Sequence, residues 1–340
     1  MTDLARTPPR AVEARYYDKL EEGAVRCRLC PRECRLIPGT TGACRTRRNV
    51  DGRLVYLYYG ACSSMALDPV EKKPLYHFHP GHTILSLGSI GCNLQCAFCQ
   101  NWQIAQSETE TVPLTPAEVV ELARERVNEG CVGVAYTYNE PLVGFEFVLE
   151  AARAVRRAGL KNVLVTNGEI NPEPLAELLP YVDALNVDVK GFTEEFYQEL
   201  CRGKLAPVLR TVETAAARTH VELTNLLIPG KNDSPDEVTA LVEWVAERLG
   251  PDVPLHFSRY FPQYKLDLPP TPLQTLREAA AISRRRLNYV YLGNVGGAEG
   301  SDTLCPKCGA AVIRRHGYSV RSLLRGRECP VCGYALPVVV

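Results

Sequence analysis

The sequence has no excess of charge of either sign, because 39 lysines and arginines are balanced by 39 aspartates and glutamates. This balance gives no global electrostatic reason to expect nucleic acid or a membrane surface as a partner. Long apolar runs are missing too: no stretch could span a bilayer, and the first 23 residues contain no apolar signal core. We therefore expect a cytoplasmic protein. With 46% hydrophobic and 23% charged residues, the composition is typical of a globular chain with a full core.

Cysteine, in contrast, is plentiful, with 14 copies among 340 residues. A reducing compartment disfavours disulfides, and clustered cysteines in such a protein more often bind metals. Eleven of the fourteen fall into three groups. The groups are Cys27, Cys30, Cys34 and Cys44 near the start, Cys92, Cys96 and Cys99 in the first third, and Cys305, Cys308, Cys329 and Cys332 near the end.

Between the outer groups, residues 83–292 alternate strand-like apolar runs with helix-like amphipathic stretches. This alternation predicts an α/β fold with a parallel sheet and crossover helices. Six or more units favour a partial (β/α)6 TIM-like barrel, and an open doubly wound sheet is the alternative. In both folds ligands bind at the carboxyl ends of the strands. The unusual polar residues stand at those ends: the cysteine loop, Asn139, Glu140, Thr166, Asn167, Asp188, Lys190 and Arg259.

Three parts of the chain are predicted from this arrangement. Residues 1–70 form a cysteine-rich N-terminal extension, residues 71–300 the core barrel, and residues 301–340 a C-terminal zinc ribbon. CPKCG and CPVCG are two knuckles whose four cysteines suit tetrahedral zinc, with a rubredoxin-like iron as the alternative. The arginine-rich stretch between the knuckles could bind RNA or an acidic protein surface. We favour a structural ribbon with a solvated basic face.

The N-terminal group, spaced C-x2-C-x3-C-x9-C, lies in a segment with little apolar core of its own. A bound metal would supply folding energy to such a segment. Zinc and an auxiliary iron–sulfur cluster are both open for this group. The three cysteines outside the groups have simpler interpretations. Cys62 is either a substrate-facing thiol or a buried side chain, and Cys131 and Cys201 are expected to be structural.

The central group, CNLQCAFC, spaces its cysteines as C-x3-C-x2-C, a pattern found nowhere else in the chain. A four-iron cluster needs one outer ligand per iron, so three cysteines leave one iron open to another molecule. The alternative is a zinc site completed by His77, His79 or His82. Those histidines stand ten or more residues before Cys92, and the single tight loop favours the cluster.

This loop, with an aromatic residue before its last cysteine, resembles the signature of the radical S-adenosylmethionine (SAM) superfamily. The resemblance implies a [4Fe–4S] cluster whose open iron binds SAM. It implies reductive cleavage of SAM to methionine and a 5′-deoxyadenosyl radical, which abstracts a hydrogen atom from a substrate. That substrate is a protein, an RNA or a small molecule of unknown identity, and the electron donor is a protein such as flavodoxin or ferredoxin.

The segment TYNEP (137–141) resembles the GGEP element of that superfamily, whose polar groups hold the amino group of SAM. The resemblance assigns Asn139 and Glu140 to the SAM site. A carboxylate at this place can accept hydrogen bonds from an ammonium group. The alternative for Glu140 is an acid at a helix N-terminus, stabilised by the helix dipole.

Two later segments, VTNGE (165–169) and NVDVKG (186–191), resemble parts of pyruvate formate-lyase-activating enzyme that approach SAM. They assign Asn167, Asp188 and Lys190 to the site, with an Asp188–Lys190 ion pair at the barrel rim as the alternative. His256 and Arg259, on the sixth strand, are candidates for contacts with adenine or substrate. The alternative for His256 is a hydrogen-bonded core histidine.

The stretches YGACSSMALDPVEKKPLYHFHPG, FSRYFPQYKL and YLGNV resemble the branch called the AmmeMemoRadiSam system radical SAM enzyme. The whole resemblance covers roughly residues 54–300. We therefore predict an enzyme of the activating-enzyme-like, oxidoreductase type that generates the deoxyadenosyl radical. An activase of a glycyl radical enzyme is one alternative, and a non-enzymatic zinc-ribbon binding module is the other.

Overall fold

The computed structural model describes residues 10–296 and 299–340. Residues 1–9 belong to the N-terminal segment in which we expect no signal core, and they lie outside the described part. Seven short strands open the described chain: β1 (Arg10–Glu13), β2 (Tyr17–Lys19), β3 (Val25–Cys27), β4 (Arg35–Leu36), β5 (Arg47–Val50), β6 (Arg53–Tyr59) and β7 (Ala61–Cys62). The first six form two three-stranded antiparallel sheets, ordered β1-β6-β5 and β2-β3-β4.

The centre of the molecule is an eight-stranded sheet. Its strands are β8 (Ser64–Pro69), β9 (Thr83–Gly88), β11 (Cys131–Tyr136), β12 (Lys161–Thr166), β13 (Ala184–Asp188), β14 (His220–Leu227), β15 (Leu255–Arg259) and β16 (Val290–Gly293). The short strand β10 (Val112–Pro113) lies outside this sheet and pairs with β7. Their order is β16-β15-β14-β13-β12-β11-β9-β8. Strand β8 is antiparallel to β9, and the pairs from β9 to β16 are parallel.

The strand order follows the chain from one edge of the sheet to the other without a reversal. A doubly wound sheet, by contrast, reverses its order at the switch point where the ligand binds. The mostly parallel sheet predicted from the alternating pattern is confirmed, and the extra strand suspected in NYVYLGNV is β16. Strand β8 escaped prediction because it lies at the sheet edge, with five of its six residues partly or fully exposed.

The described residues contain eight α-helices: α1 (Trp102–Gln106), α2 (Pro116–Glu125), α3 (Phe145–Arg157), α4 (Pro172–Leu178), α5 (Glu194–Phe196), α6 (Leu205–Ala216), α7 (Pro235–Arg248) and α8 (Leu273–Ser283). Ser234 Oγ accepts a hydrogen bond from Glu237 N at 3.2 Å, which confirms the N-cap predicted for α7. Thr115 and Glu118 form a reciprocal capping box at the start of α2. None of these helices is long and apolar enough to cross a membrane.

A buried carboxylate, Glu222 near the start of β14, binds several groups inside the sheet. Its two oxygens accept from the backbone N–H groups of Tyr76 and His77 at 2.9 and 2.7 Å. Nε2 of His220 and of His256 lie 3.0 and 2.7 Å from the same carboxylate. These contacts satisfy a charge that would otherwise be costly to bury. They also fix the segment around residue 76 against the sheet.

The C-terminal part contains β17 (Thr303–Leu304), β18 (Ala311–His316) and β19 (Ser319–Ser322), which form an antiparallel sheet. The guanidinium of Arg315 on β18 is buried and donates to the carbonyl of Tyr76 at 2.7 Å. Backbone hydrogen bonds at 2.7 and 2.8 Å join Val339 to the segment of His77 and His79. The cysteine-rich end of the chain therefore packs on the same segment that Glu222 holds.

A buried ion pair fastens the N-terminal strands to the core. Arg47 on β5 donates to both carboxylate oxygens of Glu146 on α3, at 2.6 and 3.1 Å, and also to the carbonyl of Val143. Both side chains are almost fully buried, at 2% and 6% exposure. Such a bidentate pair offsets its desolvation cost only while both partners are present.

We predict that Glu146→Gln destabilises the fold by about 3–5 kcal/mol, because it leaves the Arg47 charge buried without a counter-ion. The midpoint of unfolding in denaturant measures this loss. Glu213→Gln is the matched control: it breaks an exposed pair with Arg248 and should cost no more than about 1 kcal/mol. Equal shifts in the two variants would show that the Arg47–Glu146 pair is not important for stability.

Candidate functional site

The cysteine loop follows β9, the first parallel strand, at its carboxyl end. Its three sulfur-bearing residues line a single cavity of about 550 Å³ at the ends of the strands. That volume lies within the range of ordinary small-molecule sites. Five of the seven predicted SAM-contact residues line the same cavity: Asn139, Glu140, Asn167, Asp188 and Lys190. Residues from four different strand ends thus meet in one place.

Glu140 is almost fully buried and tightly held. Its Oε1 accepts from Thr166 Oγ1 at 2.8 Å and from Leu142 N at 3.0 Å, and its Oε2 accepts from Asn167 N at 2.7 Å. Burial raises the pKa of Glu140 to about 7, although these donors lower it. The contact with Leu142 caps the short helical turn Pro141–Gly144, as the alternative interpretation expected. The other two contacts fix the carboxylate at the cavity wall.

Asn139 joins its own loop to the cysteine loop. Its side-chain amide donates to Ser89 Oγ and to the carbonyl of Gly91, both at 2.9 Å. Its Oδ1 accepts from Ser89 N at 2.9 Å. All of these bonds run within the protein, so the geometry makes Asn139 a residue that positions the two loops.

Asn167 reaches the cysteine loop itself. Its Nδ2 lies 3.5 Å from Cys92 Sγ and donates to Asn93 Oδ1 at 2.9 Å. Farther along the rim, Lys190 Nζ lies 2.6 Å from Asp188 Oδ2, which is the ion pair expected as the alternative. Burial opposes the charge of Lys190, but Asp188 beside it raises the pKa of the ammonium above its usual range. An amide, an ammonium and a carboxylate therefore face the cavity that the thiols line.

His256 and Arg259 stay outside the cavity, although both were predicted to reach a ligand. His256 is buried deeper in the sheet, 2.7 Å from Glu222 and edge-on to the Tyr76 ring, as the core-histidine alternative expected. Arg259 donates to the carbonyl of Thr271 at 2.7 Å and lies over the ring of Phe261. Between them on β15, Ser258 lines the cavity. Side chains alternate along a strand, so Arg259 points to the opposite face.

Comparison with known proteins places this geometry in a family. Residues 87–245 match the model of the Radical SAM superfamily. The chain belongs to the radical SAM superfamily. It is therefore an enzyme of the activating-enzyme-like type, and membership implies a [4Fe–4S] cluster and SAM as cofactors.

Individual relatives agree with this membership. The chain is 42% identical over 337 residues to Uncharacterized protein MJ0808 of Methanocaldococcus jannaschii, covering 96% of this chain and 99% of that protein. It is 28% identical over 163 residues to pyruvate formate-lyase 1-activating enzyme of Escherichia coli, covering 46% of this chain and 66% of that enzyme. The structure of Streptococcus suis SuiB bound to S-adenosylmethionine aligns with a TM-score of 0.51 at 16% identity, covering 62% and 52% of the two chains. The last likeness concerns the fold alone.

The radical SAM cavity is also lined by several residues that the sequence did not single out. They are Lys72, Lys73 and Pro74 after β8, Phe98 and Gln100 in the cysteine loop, Tyr138, Thr224, Ser258, and Tyr318 from the turn between β18 and β19. The pair of lysines in VEKK was a visible signal, since two adjacent cations near a ligand site are noteworthy. Tyr318 gave none, because only the packed C-terminal sheet brings it to the cavity.

Tyr138 replaces the first glycine of the family's GGEP element and keeps a backbone that glycine would favour. Its φ is +72°, in the left-handed region where a bulky side chain is rare. The ring lies 4.6 Å from Lys73 Nζ, and the phenol donates to Asp68. Asp68 also accepts from Lys72 at 2.8 Å and Lys73 at 2.7 Å. This network ties the cavity wall to β8 and compensates for the strained backbone.

The C-terminal cysteines form a compact group of four. Their sulfur atoms all lie within 4.8 Å of one another, with Cys305 and Cys332 at 3.6 Å and Cys308 and Cys329 at 3.7 Å. Among the described residues, no other cluster of cysteine, histidine or carboxylate ligands is that compact. His77, His79 and His82, considered as ligands that complete a zinc site at the central loop, are not among the residues that line its cavity. The C-terminal group has the geometry to bind one metal ion.

The remaining cysteines do not line the cavity. Cys62 donates to the carbonyl of Ser64 at 3.3 Å and lines a separate small cleft, and Cys131 is buried at the start of β11. Cys201 lies behind the cysteine loop, where its thiol hydrogen-bonds that of Cys96 and its carbonyl accepts from Gln95 N at 2.8 Å. Cys201 thus supports the loop from its buried side.

We predict that Tyr138→Phe lowers stability by about 1.5–3 kcal/mol, because it removes a hydrogen bond to a buried carboxylate. Burial alone would raise the pKa of Asp68, but its three donors hold the pKa well below the usual range. Stability from Asp68 is therefore present above its unfolded pKa and lost as pH falls through the lower folded value. In the variant this acid loss should begin at a higher pH, which unfolding curves across pH will measure.

Tyr59→Phe is the matched control, because its phenol donates to Glu150 at an exposed position. The control substitution should leave nearly unchanged both the stability at neutral pH and the pH at which stability begins to fall in acid. If Tyr138→Phe behaves like this control, the Asp68 network does not stabilise the cavity wall.

Proposed function

We propose that this enzyme cleaves SAM reductively in the cavity at the strand ends and that the resulting radical abstracts hydrogen from a substrate bound there. The observation that carries the proposal is the meeting of Cys92, Cys96 and Cys99 with the five predicted SAM contacts around one cavity. Within residues 10–296 and 299–340, neither a histidine nor a fourth cysteine lines that cavity. The donor set therefore suits a cluster with one iron left open to SAM.

The cluster, held by the three loop cysteines, would supply the electron that breaks the SAM sulfur–carbon bond. The protein's own residues would bind and orient the amino acid part of SAM. Glu140, held by three hydrogen bonds, would accept from the SAM ammonium. Lys190 would pair with the SAM carboxylate, and this new contact would partly replace its present ion pair with Asp188. Asn167 would donate to the Cys92 thiolate and keep the loop in register.

The same cavity is also lined by Lys72, Lys73 and Tyr318, and we assign these residues to the substrate. The identity of the substrate is a second question. A glycyl radical enzyme is one candidate, because several relatives carry the name pyruvate formate-lyase-activating enzyme. A low-potential protein such as flavodoxin or ferredoxin is the proposed electron donor, and a cytoplasmic location fits that donor.

We further propose that the sheet curves into a partial (β/α)6 barrel, since a strand order without reversal suits such a barrel.

For the compact C-terminal group we propose zinc, because Zn–S bonds of about 2.3 Å in a tetrahedron separate sulfurs by roughly 3.8 Å. The three proposed parts, 1–70, 71–300 and 301–340, are kept with one change of boundary. Strand β8 pairs with the core sheet, so the core extends back to Ser64.

The first experiment is reductive SAM cleavage by anaerobically reconstituted protein, with 5′-deoxyadenosine detected by mass. Cys96→Ala should abolish cleavage and cluster assembly at the loop, because a cluster with two protein ligands is not retained. Zinc at Cys305, Cys308, Cys329 and Cys332 should stay, and metal analysis will show it. Cleavage by Cys96→Ala at the rate of the unaltered enzyme would contradict the assignment of the loop.

Glu140→Ala should weaken SAM binding by roughly tenfold or more, since a hydrogen bond to a charged group contributes about 1.5–3 kcal/mol. Glu140→Gln keeps the shape and should lose most of that affinity as well, because it removes the charge. Glu118→Ala, a change in the exposed capping box of α2, is the control. An unchanged Kd for both Glu140 variants would remove this carboxylate from the SAM site.

A further inference from the structure

The four N-terminal cysteines converge on a second cavity, separate from the one at the strand ends. Cys27 ends β3, Cys30 and Cys34 lie in the turn that follows, and Cys44 precedes β5. All four line the cavity, together with Leu29, Leu36 and Val143. A Cβ placed on Gly42 would lie 3.9 Å from the sulfurs of both Cys34 and Cys44. The fold has thus gathered four thiols around one space.

The spacing of these thiols distinguishes them from the C-terminal group. Cysteine sulfurs around a single ion must all be close neighbours, as the compact C-terminal four are. In the part of the chain that the structure describes, neither the N-terminal four nor the three cysteines of the SAM loop reach that 4.8 Å closeness. A four-iron cluster places an iron–sulfide core between its thiolates and so holds them farther apart. Among the described residues, both groups therefore lack the compactness of the C-terminal ion site.

The chemistry of the lining agrees with a cluster. Among the residues that the structure describes, no histidine and no carboxylate lines this cavity, so the four thiols are the metal ligands available there. The charged side chains there are two cations, Arg32 and Arg47. Cations suit a group that carries four thiolates, and Arg47 is already fixed by its pair with Glu146. Four cysteines also match four irons, so this cluster would have no open iron for SAM or substrate.

The two cysteine loops are in direct contact. Gly91, directly before Cys92, has φ +89°, and a Cβ there would lie 2.6 Å from the carbonyl oxygen of Cys44. Asn93, directly after Cys92, lines the N-terminal cavity, and its carbonyl accepts a hydrogen bond from Arg32. Residues on both sides of one SAM-cluster ligand therefore touch the N-terminal cysteine module.

We propose that Cys27, Cys30, Cys34 and Cys44 hold a second [4Fe–4S] cluster that relays single electrons to the SAM-binding cluster. The relay rests on the proposed function, whereas the metal assignment does not. In each transfer the second cluster goes from its reduced (1+) to its oxidised (2+) state, and the SAM-binding cluster goes from 2+ to 1+. A low-potential one-electron donor protein then restores the second cluster.

Metal analysis of the full-length chain, reconstituted with iron and sulfide without oxygen, tests the assignment. The unaltered protein should hold about eight iron atoms per chain, four for each [4Fe–4S] cluster. Cys30→Ser combined with Cys34→Ser should lose half of the iron. The triple variant Cys92→Ala, Cys96→Ala and Cys99→Ala should keep the other half and show the electron paramagnetic resonance signal of a reduced cluster. Cys62→Ser, outside every group, is the control and should keep all of the iron.

The outcomes separate this inference from the proposed function. A triple variant without iron, beside an unaltered protein with about four irons, would overturn the second cluster and leave the SAM site intact. Two zinc ions per chain, with one lost in the Cys30 and Cys34 variant, would assign the N-terminal site to zinc instead. Iron retained solely through the N-terminal cysteines would support the second cluster and contradict the proposed function. Because the triple variant leaves residues 10–62 unaltered, a folding failure of the N-terminal variant does not obscure the result.

The relay is tested by comparing two reductants. The Cys30 and Cys34 variant should lose most of the 5′-deoxyadenosine formation driven by reduced flavodoxin. It should retain more of the formation driven by dithionite, a small reductant that can reach the SAM-binding cluster directly. An equal loss with both reductants, in a variant that keeps its SAM-loop iron, would overturn the relay.

Discussion

The parallel sheet without a reversal is the constraint on which the site depends. Because the carboxyl ends of the parallel strands from β9 to β13 lie side by side, the loops that follow these strands meet there, although they are far apart in the chain. Cys92, Glu140, Asn167 and Lys190 each come from a different one of those loops. None of these side chains would find the others through local structure. The polar network around Glu222 and the packing of the C-terminal sheet maintain this arrangement from the other end of the strands.

The rim loops are ordered by the same residues that face the cavity. Asn139 binds the cysteine loop, Glu140 binds the next loop, and Asn167 binds back to Asn93. Each contact satisfies a buried polar group and also sets the position of a neighbour, so the loops form one connected layer. A ligand that enters such a layer loses little free energy to ordering the protein.

We propose three purposes for cysteine in this chain, and sulfur spacing separates the C-terminal group from the other two. The C-terminal thiols are close enough to share one ion, whereas among the described residues neither the loop thiols nor the N-terminal thiols are that compact. The loop thiols line the larger cavity at the strand ends, and the N-terminal thiols line a smaller one. The backbone sets these distances through its turns: the knuckles bring four sulfurs together, while the N-terminal cysteines come from separate turns around a cavity. The buried Arg47–Glu146 pair and Gly91 then place the N-terminal cavity against the SAM loop.

The sequence by itself determined the family, the parallel sheet, the three loop cysteines and five other cavity residues, because these follow from short motifs and from the alternation of strands and helices. Strand β8 could not be predicted, since an exposed edge strand has no apolar run. His256 and Arg259 could not be assigned from position, since depth along β15 and the face of the strand decide what each side chain touches. Tyr318 and Lys73 reach the cavity through packing between distant segments. The compactness of the C-terminal sulfurs, which suits a single ion, was decided by the tertiary structure alone, because a count of four cysteines is compatible with an ion and with a cluster.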